Sequence, residues 1–253
     1  MLELVSLRTQ PDLRAQVFGQ VFRALWPAFM QEDPTADLFF ARAHREAYLD
    51  TAFAVVDPAR PEVAVGRAFA VPFAFGEDGR EELPDAGWDG VVRWAHEDRT
   101  LGRAPNALSA LEITLLPSHW GRSASGVVLD AMRRRAHDLD LRHFFAPVRP
   151  TEKHLEPFVP MVEYAARRRV DGLPADPWLR VHVRAGGAIV KVAPTSMVVP
   201  GTIADWRRWT GMEFSESGSI AVPGALAPVH VSLEQDHAVY VEPNVWLRHT
   251  VPD

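Results

Sequence analysis

The stretch between residues 110 and 153 constrains the fold of this 253-residue chain more than any other. It begins with a short apolar run at 111–116 that stops at Pro117, where the spacing of apolar residues changes from two to about 3.6. A second apolar run follows at 142–148, which favours a parallel strand reached by a right-handed crossover. The helix between them is predicted from an apolar stripe formed by Leu129, Met132, Ala136 and Leu139. The stretch therefore predicts a strand, a turn, a helix and a second strand in one unit.

The turn of this unit, residues 118–126, has the composition of an anion-binding site. It contains two glycines, three serines and one arginine, and it opens the helix. Free backbone N–H groups of a first helical turn point toward a ligand, and the helix dipole favours negative charge, so a pyrophosphate fits there. Ser123 and Ser125 carry hydroxyls that cap the helix or donate to such a ligand. A well-capped connection between a strand and a helix is the alternative interpretation.

The composition is that of an ordinary globular protein, with 47% hydrophobic and 24% charged residues. One large domain, or one domain with an appendage, is expected at this length. The net charge of −6 argues against a general binder of nucleic acid or of anionic membranes. The sequence has no cysteine, which excludes disulfides, thiolate metal sites and cysteine nucleophiles.

Motifs of several other chemistries do not occur in the sequence. Its ten histidines have no metal-site spacing such as H-E-x-x-H, and there is neither a G-x-S-x-G elbow nor a P-loop lysine. Metal-dependent and nucleotide hydrolysis are therefore disfavoured, and no metal is expected. Residues 1–10 carry no basic-then-apolar signal pattern and no apolar run approaches membrane-spanning length, so we expect a cytoplasmic protein.

The first hundred residues predict two helices, a strand pair and a third helix. The first helix is expected to begin at Thr9-Gln10-Pro11-Asp12, with an apolar stripe at Leu13, Val17, Val21 and Leu25. A second helix is expected at 37–51. Two antiparallel strands are expected at 52–56 and 63–75, followed by a loop at 76–84 and a helix at 88–98.

The residues after the unit predict further helices and strands. A helix is expected at 153–169, and the alternation of residues 178–184 predicts a half-buried strand. Gly186-Gly187 is typical of a hairpin turn leading into a strand at 188–192. The rest of the chain predicts a short helix at 204–209 and strands at 226–233 and 239–247.

Residues 110–164 resemble the GNAT acyltransferases. In that family a strand, a proline, the motif R/Q-x-x-G-x-G/A, a helix and a strand bind the pyrophosphate of acetyl-CoA. Aligning Pro117 with the family's proline puts Trp120 at the Arg or Gln position, Ser123 at the first glycine and Ser125 at the second. A looser similarity reaches the chain end through APVRP, DGLPADPWLRVH and YVEPNVWLRH, which are typical of an actinobacterial-type subgroup of unassigned substrate.

The resemblance implies an α/β fold with a central mixed, mostly antiparallel sheet flanked by helices. Residues 1–175 would form the GNAT core, and 176–253 would add strands that complete the sheet together with a C-terminal β-rich extension. The helices of the first fifty residues would shape the acceptor pocket. The extension would be a closing subdomain, a lid or the surface of a homodimer.

The resemblance also implies which residues bind the acetyl-CoA co-substrate. The backbone of the central strand would hold the pantetheine arm and polarise the thioester carbonyl, and the turn would hold the pyrophosphate. Arg122 is the preferred phosphate contact. Arg149 and Lys153 are expected at the edge of the site, where they would bind the cofactor's phosphate or an acidic acceptor, with a solvated basic loop as the alternative. The expected cofactor-binding residues are Ile113, Thr114, Leu115, Leu116, Trp120, Gly121, Arg122, Ser123, Ala124, Ser125, Gly126 and Arg149.

Two residues are candidates for acid and base catalysis. Tyr164 lies about where many GNAT members carry a tyrosine that protonates the departing thiolate, and local bonding in the core is its alternative. Glu112 is the only acidic residue on the central strand, so it is a candidate base, acting directly or through water. A carboxylate paired with an arginine of a neighbouring strand is the alternative for Glu112.

The leading hypothesis is an N-acyltransferase that moves an acetyl or other short acyl group from CoA to the amine of a small molecule by direct attack. Glycine tolerates positive φ and close approach to phosphate, so Ser123, together with Trp120, also admits a non-catalytic ligand-binding or interaction module with altered cofactor binding. A third hypothesis keeps the fold and changes the reaction to acyl-CoA hydrolysis or decarboxylation.

Overall fold

The structure is a computed structural model that describes residues 2–120 and 124–252. The described residues form one sheet of nine strands with the order β1-β2-β3-β4-β5-β9-β8-β7, in which β6 also pairs with β9. The strands are β1 (Glu3–Ser6), β2 (Ala52–Asp57), β3 (Arg60–Phe73), β4 (Ala107–Leu115), β5 (His143–Val148), β6 (Ala188–Gly201), β7 (Gly218–Ile220), β8 (Val229–Ser232) and β9 (His237–His249).

Helices flank this sheet, and those of the N-terminal region and of residues 153–166 are short. The α-helices are α1 (Arg14–Val17), α2 (Gln20–Arg23), α3 (Asp37–Phe40), α4 (Arg42–Arg45), α5 (Gly87–Leu101), α6 (Ala124–Asp138), α7 (Met161–Ala166), α8 (Pro177–Arg184) and α9 (Ile203–Thr210). Single 3-10 turns lie at Pro11–Leu13, Ala28–Glu32, Pro34–Ala36, Glu46–Tyr48, Pro117–His119 and Lys153–Leu155. None of the helices in the described ranges is both long and apolar enough to cross a bilayer.

The strand, helix and strand predicted from residues 110–153 are confirmed. Strand β4 runs parallel to β5, and α6 connects them, whereas the other pairs in the sheet are antiparallel. Leu129, Met132 and Ala136 are buried as the apolar stripe requires. The predicted mixed, mostly antiparallel sheet flanked by helices is therefore present.

The sheet separates two hydrophobic cores because successive strand residues point to opposite faces. Phe144 packs with the apolar stripe of α6, whereas its neighbour Phe145 packs with Val91 and Val92 of α5. We call these two sides the α6 face and the α5 face. The short N-terminal helices also bury Val17, Phe22 and Phe39 on the α5 face.

The strand expected at 178–184 and the hairpin turn after it differ from the structure, because the alternating residues also fit a helical period. Residues 178–184 form helix α8 rather than a strand, since Asp176 accepts hydrogen bonds from the amides of Trp178 and Leu179 and Pro177 occupies the first turn. The buried positions of α8 are Leu179 and His182, three residues apart. The predicted Gly186-Gly187 hairpin is consequently a connection from α8 to β6.

The predicted N-terminal helix is interrupted at Gly19, whose backbone is extended. A Cβ at this position would lie 2.7 Å from the Ala15 carbonyl oxygen, so the break depends on glycine. Val21 and Leu25 are consequently 63% and 38% exposed instead of forming a buried stripe. The helices expected at 37–51 and 153–169 are likewise divided into shorter segments, the first at the extended residue Ala41.

The strands and helices expected at 52–56, 63–75, 88–98 and 204–209 are confirmed with small shifts of their ends. The C-terminal strands are part of the same sheet. β9 pairs with β5 over Phe144–Val148 and with β6 along most of its length. The sheet therefore continues across residue 175.

Candidate active site in the gap between β4 and β5

The two parallel strands β4 and β5 diverge soon after they start. They pair only at Ala107–Ser109 with His143–Phe145, and the rest of β4 has no ladder with β5 among the described residues. A β-bulge at Leu111, where Phe69 and Ala70 face Glu112 and Ala110, bends β4 near the point of separation. The result is a wedge-shaped opening in the middle of the sheet.

A cavity of about 750 Å³ fills this opening. Its wall includes Phe40, Trp88 and Met197 from the core of the α5 face and Val148 and Trp178 from that of the α6 face. A molecule bound on one face can therefore reach a molecule bound on the other through the gap.

The backbone of β4 presents polar groups to the gap. The Leu116 amide donates to the Val65 carbonyl, so the alternation of an antiparallel ladder turns the backbone groups of Ile113 and Leu115 to the edge away from β3. The Leu115 carbonyl accepts the Trp120 indole N–H at 2.8 Å, and that indole is two-thirds exposed at the cavity. Of the predicted backbone contacts at residues 113–116, those of Ile113 and Leu115 thus lie at the open edge of β4, whereas the Leu116 amide is bonded to β3.

The N-terminal turn of α6 reaches the same cavity on the α6 face. Ala124 is buried against the core, while the partly exposed Ser125 lines the cavity. A Cβ on Gly126 would meet open space, so the room beside this turn suits a bulky polar ligand. The predicted phosphate contacts Gly121, Arg122 and Ser123 lie outside the described residues.

Glu112 lines the cavity from the α5 face and forms a buried ion pair with Arg67 of β3. The Arg67 Nε lies 2.6 Å from Glu112 Oε1, and Arg67 Nη2 lies 3.2 Å from Oε2. The Thr114 hydroxyl and the Trp26 indole N–H also donate to Oε1, at 2.5 and 3.2 Å. This is the pairing with a neighbouring strand's arginine that the sequence offered as the alternative. A proton taken up at Oε1 would displace one of these donors.

A second ion pair, whose carboxylate is buried, lines the opposite side of the gap. The Arg149 Nε lies 2.9 Å from Glu242 Oε2, and Arg149 also donates to the Gly224 carbonyl. Tyr240 and Asn244 donate to the two oxygens of Glu242 at 2.9 and 3.0 Å. Arg149 therefore lies on the α5 face, and it lines the same cavity as Ser125 of the α6 turn.

The Trp26 indole connects the two ion pairs. It donates to Glu112 and Thr114, and the Arg149 guanidinium lies 6.0 Å from the centre of its ring. Sequence reasoning missed Trp26, Arg67 and Glu242 as site residues. Each can be identified as a site residue only through a partner that is distant in the sequence. The segment YVEPNVW, which contains Glu242, nevertheless has the polar and aromatic composition of a pocket segment.

Tyr164 does not line the cavity. Its hydroxyl donates to Asp176 Oδ2 at 3.0 Å, so the residue is bonded locally between α7 and the start of α8. Burial, followed by the nearby Asp176 carboxylate, raises the pKa of the Tyr164 hydroxyl. Lys153 is also buried, and its Nζ donates to the carbonyls of Glu156 and Leu226 at 2.7 and 2.6 Å.

His182 of α8 lines the cavity and lies 2.9 Å from His249 of β9, measured between His182 Nδ1 and His249 Nε2. Burial lowers the pKa of His182 well below its usual range, and the neighbouring His249 lowers it further. Burial, together with the Arg133 charge, lowers the pKa of His249 to about 4. The pair is therefore neutral at pH 7. This contact depends on the helical conformation of residues 178–184, so the strand expected there did not predict it.

Comparison with known proteins supports the GNAT fold. No protein-family profile matches the sequence. The chain is 28% identical over 284 aligned residues to the arginine N-acetyltransferase avaD of Aspergillus versicolor, in a match that covers 98% of this chain and 93% of the relative.

Two solved structures are similar to the chain along nearly its whole length. The loading GNATL domain of CurA from Lyngbya majuscula aligns with a TM-score of 0.60 and 15% identity, covering 99% of this chain and 98% of that domain. The GphF GNAT-like decarboxylase in complex with isobutyryl-CoA aligns with a TM-score of 0.56 and 14% identity, covering all of both chains. The fold implied by the sequence resemblance is confirmed.

Proposed function

We infer that this chain, a member of the GNAT superfamily, is an acyl-CoA-dependent N-acyltransferase that acetylates the amine of a small molecule. The observation that carries the proposal is the cavity that passes through the sheet between β4 and β5. It offers one face to an acyl donor and the other to an acceptor, and the two meet in the gap. The N-acetyltransferase relative supports the same reaction.

The proposed donor, acetyl-CoA, supplies an acyl group already activated as a thioester. Its phosphates would lie at the N-terminal turn of α6, where Ser125 and the open space beside Gly126 accommodate them. Its pantetheine arm would follow the free edge of β4, where the backbone groups of Ile113 and the amide of Leu115 are available. A backbone N–H at this edge is suited to stabilise the oxyanion that develops on the thioester carbonyl.

The acceptor would bind on the α5 face. Its deprotonated amine attacks the thioester carbon, forming the C–N bond as the C–S bond breaks, and the amine's proton and the thiolate's charge must be taken up nearby. The geometry supports Glu112 over Tyr164 as a participant, because Glu112 lines the cavity whereas Tyr164 does not. The Arg67–Glu112 ion pair and Trp26 would orient the acceptor so that its amine points toward the gap.

We propose arginine as the first acceptor to test, because the relative is named for it. An acidic side chain is available for a cationic acceptor. Asp37 is exposed at the cavity and forms no ion pair with any residue in the described ranges. Burying a cation requires such a partner.

The proposal is tested by measuring CoA binding and turnover in one set of proteins. The wild type should bind acetyl-CoA by calorimetry and release free CoA thiol when arginine is added, with acetylarginine detected by mass spectrometry. Ser125→Asp places a negative charge beside the expected phosphates and should abolish both. Ser219→Asp, the same change on the distant strand β7, should alter neither. Absence of CoA binding by the wild type would contradict the proposal, and CoA release without acetylated amine would indicate thioester hydrolysis instead.

A further inference from the structure

Four arginines line the cavity, and they differ in the partners of their guanidinium groups. Arg67 pairs with Glu112, Arg149 pairs with Glu242, and the Arg23 Nε donates to Gln31 at 2.9 Å. The Arg45 side chain has no ion pair and no hydrogen-bond partner in residues 2–120 and 124–252, and its Nε is buried. A buried donor without an acceptor costs free energy, and the cost is larger when the donor is charged.

The Arg45 guanidinium has a fixed place in the cavity wall. Its Cζ lies 4.5 Å from the centre of the Phe18 ring, which in turn stacks on Phe69 at 5.5 Å between ring centres. A guanidinium on an aromatic face keeps its in-plane N–H groups free for a planar acceptor. A guanidinium without a partner in this wall suits a carboxylate, which it can bind through two parallel hydrogen bonds.

Arg45 belongs to the α5 face rather than the α6 face. Phe18 and Phe69 pack in the core of the α5 face, as does Phe40, another wall residue. The turn of α6, where the donor's phosphates are placed, lies on the other side of the sheet. The anion that Arg45 can bind is accordingly part of the acceptor and not of the acyl donor.

We propose that Arg45 determines acceptor specificity by binding a carboxylate of the acceptor, so that the substrate is an amino acid rather than a plain amine. This inference rests on the N-acyltransferase function proposed above. The exposed Asp37 at the same cavity supplies an opposite charge for the cationic end of the acceptor. The two side chains together select a molecule that carries a carboxylate and a positive charge.

The inference is tested with arginine and agmatine, which differ by the carboxylate alone. In acetyl-transfer assays the wild type should prefer arginine. Arg45→Gln should lower kcat/KM for arginine by about 30- to 100-fold, mainly through KM, since hydrogen bonds to charged groups are lost. The same change should alter kcat/KM for agmatine by less than about threefold, because that substrate has no group for Arg45. Arg42→Gln, which changes an exposed arginine of the same helix α4 that does not line the cavity, should affect both substrates by less than about threefold.

Direct binding of arginine and agmatine separates this inference from the proposed function. Calorimetry is done on the full chain with CoA present, after circular dichroism has shown that each variant is folded. If no amine is acetylated but arginine binds the wild type more tightly than agmatine and loses that advantage in Arg45→Gln, the proposed function fails and the inference stands. Equal affinity of the wild type for the two ligands, or equal losses for both in Arg45→Gln, would overturn the inference.

Discussion

Two carboxylates in the cavity wall, Glu112 and Glu242, are each neutralised by an arginine and surrounded by further donors. Taking such charges out of water is costly, and the cost is offset only while both partners remain. Sequence alone predicted that Glu112 would either act as a base or pair with a neighbouring arginine. It could not decide between them, because Arg67 is 45 residues away and its distance depends on the strand register.

We predict that Glu112→Gln destabilises the protein by about 3 kcal/mol, because Arg67 is left as an uncompensated buried charge. Both side chains of this pair are less than a tenth exposed. The free energy of unfolding in urea measures the effect. The control is Asp130→Asn, which breaks an exposed pair with Arg134 on α6 and should cost about 0.5 kcal/mol. Equal losses of unfolding free energy in the two variants would show that the buried ion pair contributes no more to stability than the exposed one.

A second residue-scale prediction concerns Asp33 and Asp89, two buried carboxyl groups on the α5 face. Burial, followed by the neighbouring Asp33, raises the pKa of Asp89 to about 9. A pKa raised above the unfolded value of about 3.9 means that the native state binds the proton more tightly. Its contribution to stability is thus fully present below about pH 4 and is lost progressively as the pH rises toward about 9.

Asp89→Asn should flatten this dependence, because the amide stays neutral throughout the range. We expect its stability relative to the wild type to improve steadily between pH 5 and pH 9 in urea unfolding measurements. Asp130→Asn, at an exposed position, should show no such trend. A constant difference between Asp89→Asn and the wild type would contradict the assignment.

At the scale of elements, helix α8 illustrates what a local pattern can specify. Seven alternating residues fit a strand, yet the preceding Asp176-Pro177 is a helix start, and the capping bonds of Asp176 decide the outcome. The contact of His182 with His249 and the place of Trp178 in the cavity follow from that helix. The longer elements α5, α6 and β3 were predicted correctly because their apolar patterns extend over more residues.

The seam between α7 and α8 gives a test of the role of Tyr164. Its hydroxyl donates to Asp176, which also caps α8, so Tyr164→Phe should lower stability by about 1 kcal/mol. Because Tyr164 is absent from the cavity wall, kcat for acetyl transfer should change by less than about threefold. A tenfold loss of kcat with unchanged stability would instead support Tyr164 as the group that protonates the thiolate.

At the scale of the whole molecule, the sheet is assembled from both ends of the chain. β5 is paired on one side with β4 and on the other with β9, and β9 buries Tyr240 and Trp246 on the α5 face. The sequence predicted the fold through its resemblance to a family. The pairing of β6 with β9, and hence the position of Glu242 beside the gap, depends on contacts between distant segments that no local pattern specifies.

We predict that residues 1–175 do not fold without the remainder of the chain, because β5 would lose its β9 partner and both cores would lose buried side chains. Circular dichroism and urea unfolding of this fragment should show no cooperative transition. The full chain, unfolding as one unit, is the control. A cooperative transition in the fragment would show that residues 1–175 form an independent domain.

The measurement that tests the central claim most directly is a crystal structure of the protein with CoA and arginine bound together. The claim is that donor and acceptor enter from opposite faces of the sheet and meet where β4 and β5 separate. We expect the CoA phosphates at the turn of α6, its thiol in the gap beside Ile113, and the arginine on the α5 face with its amine near the thiol. CoA bound outside the gap, or both ligands on one face, would contradict the account.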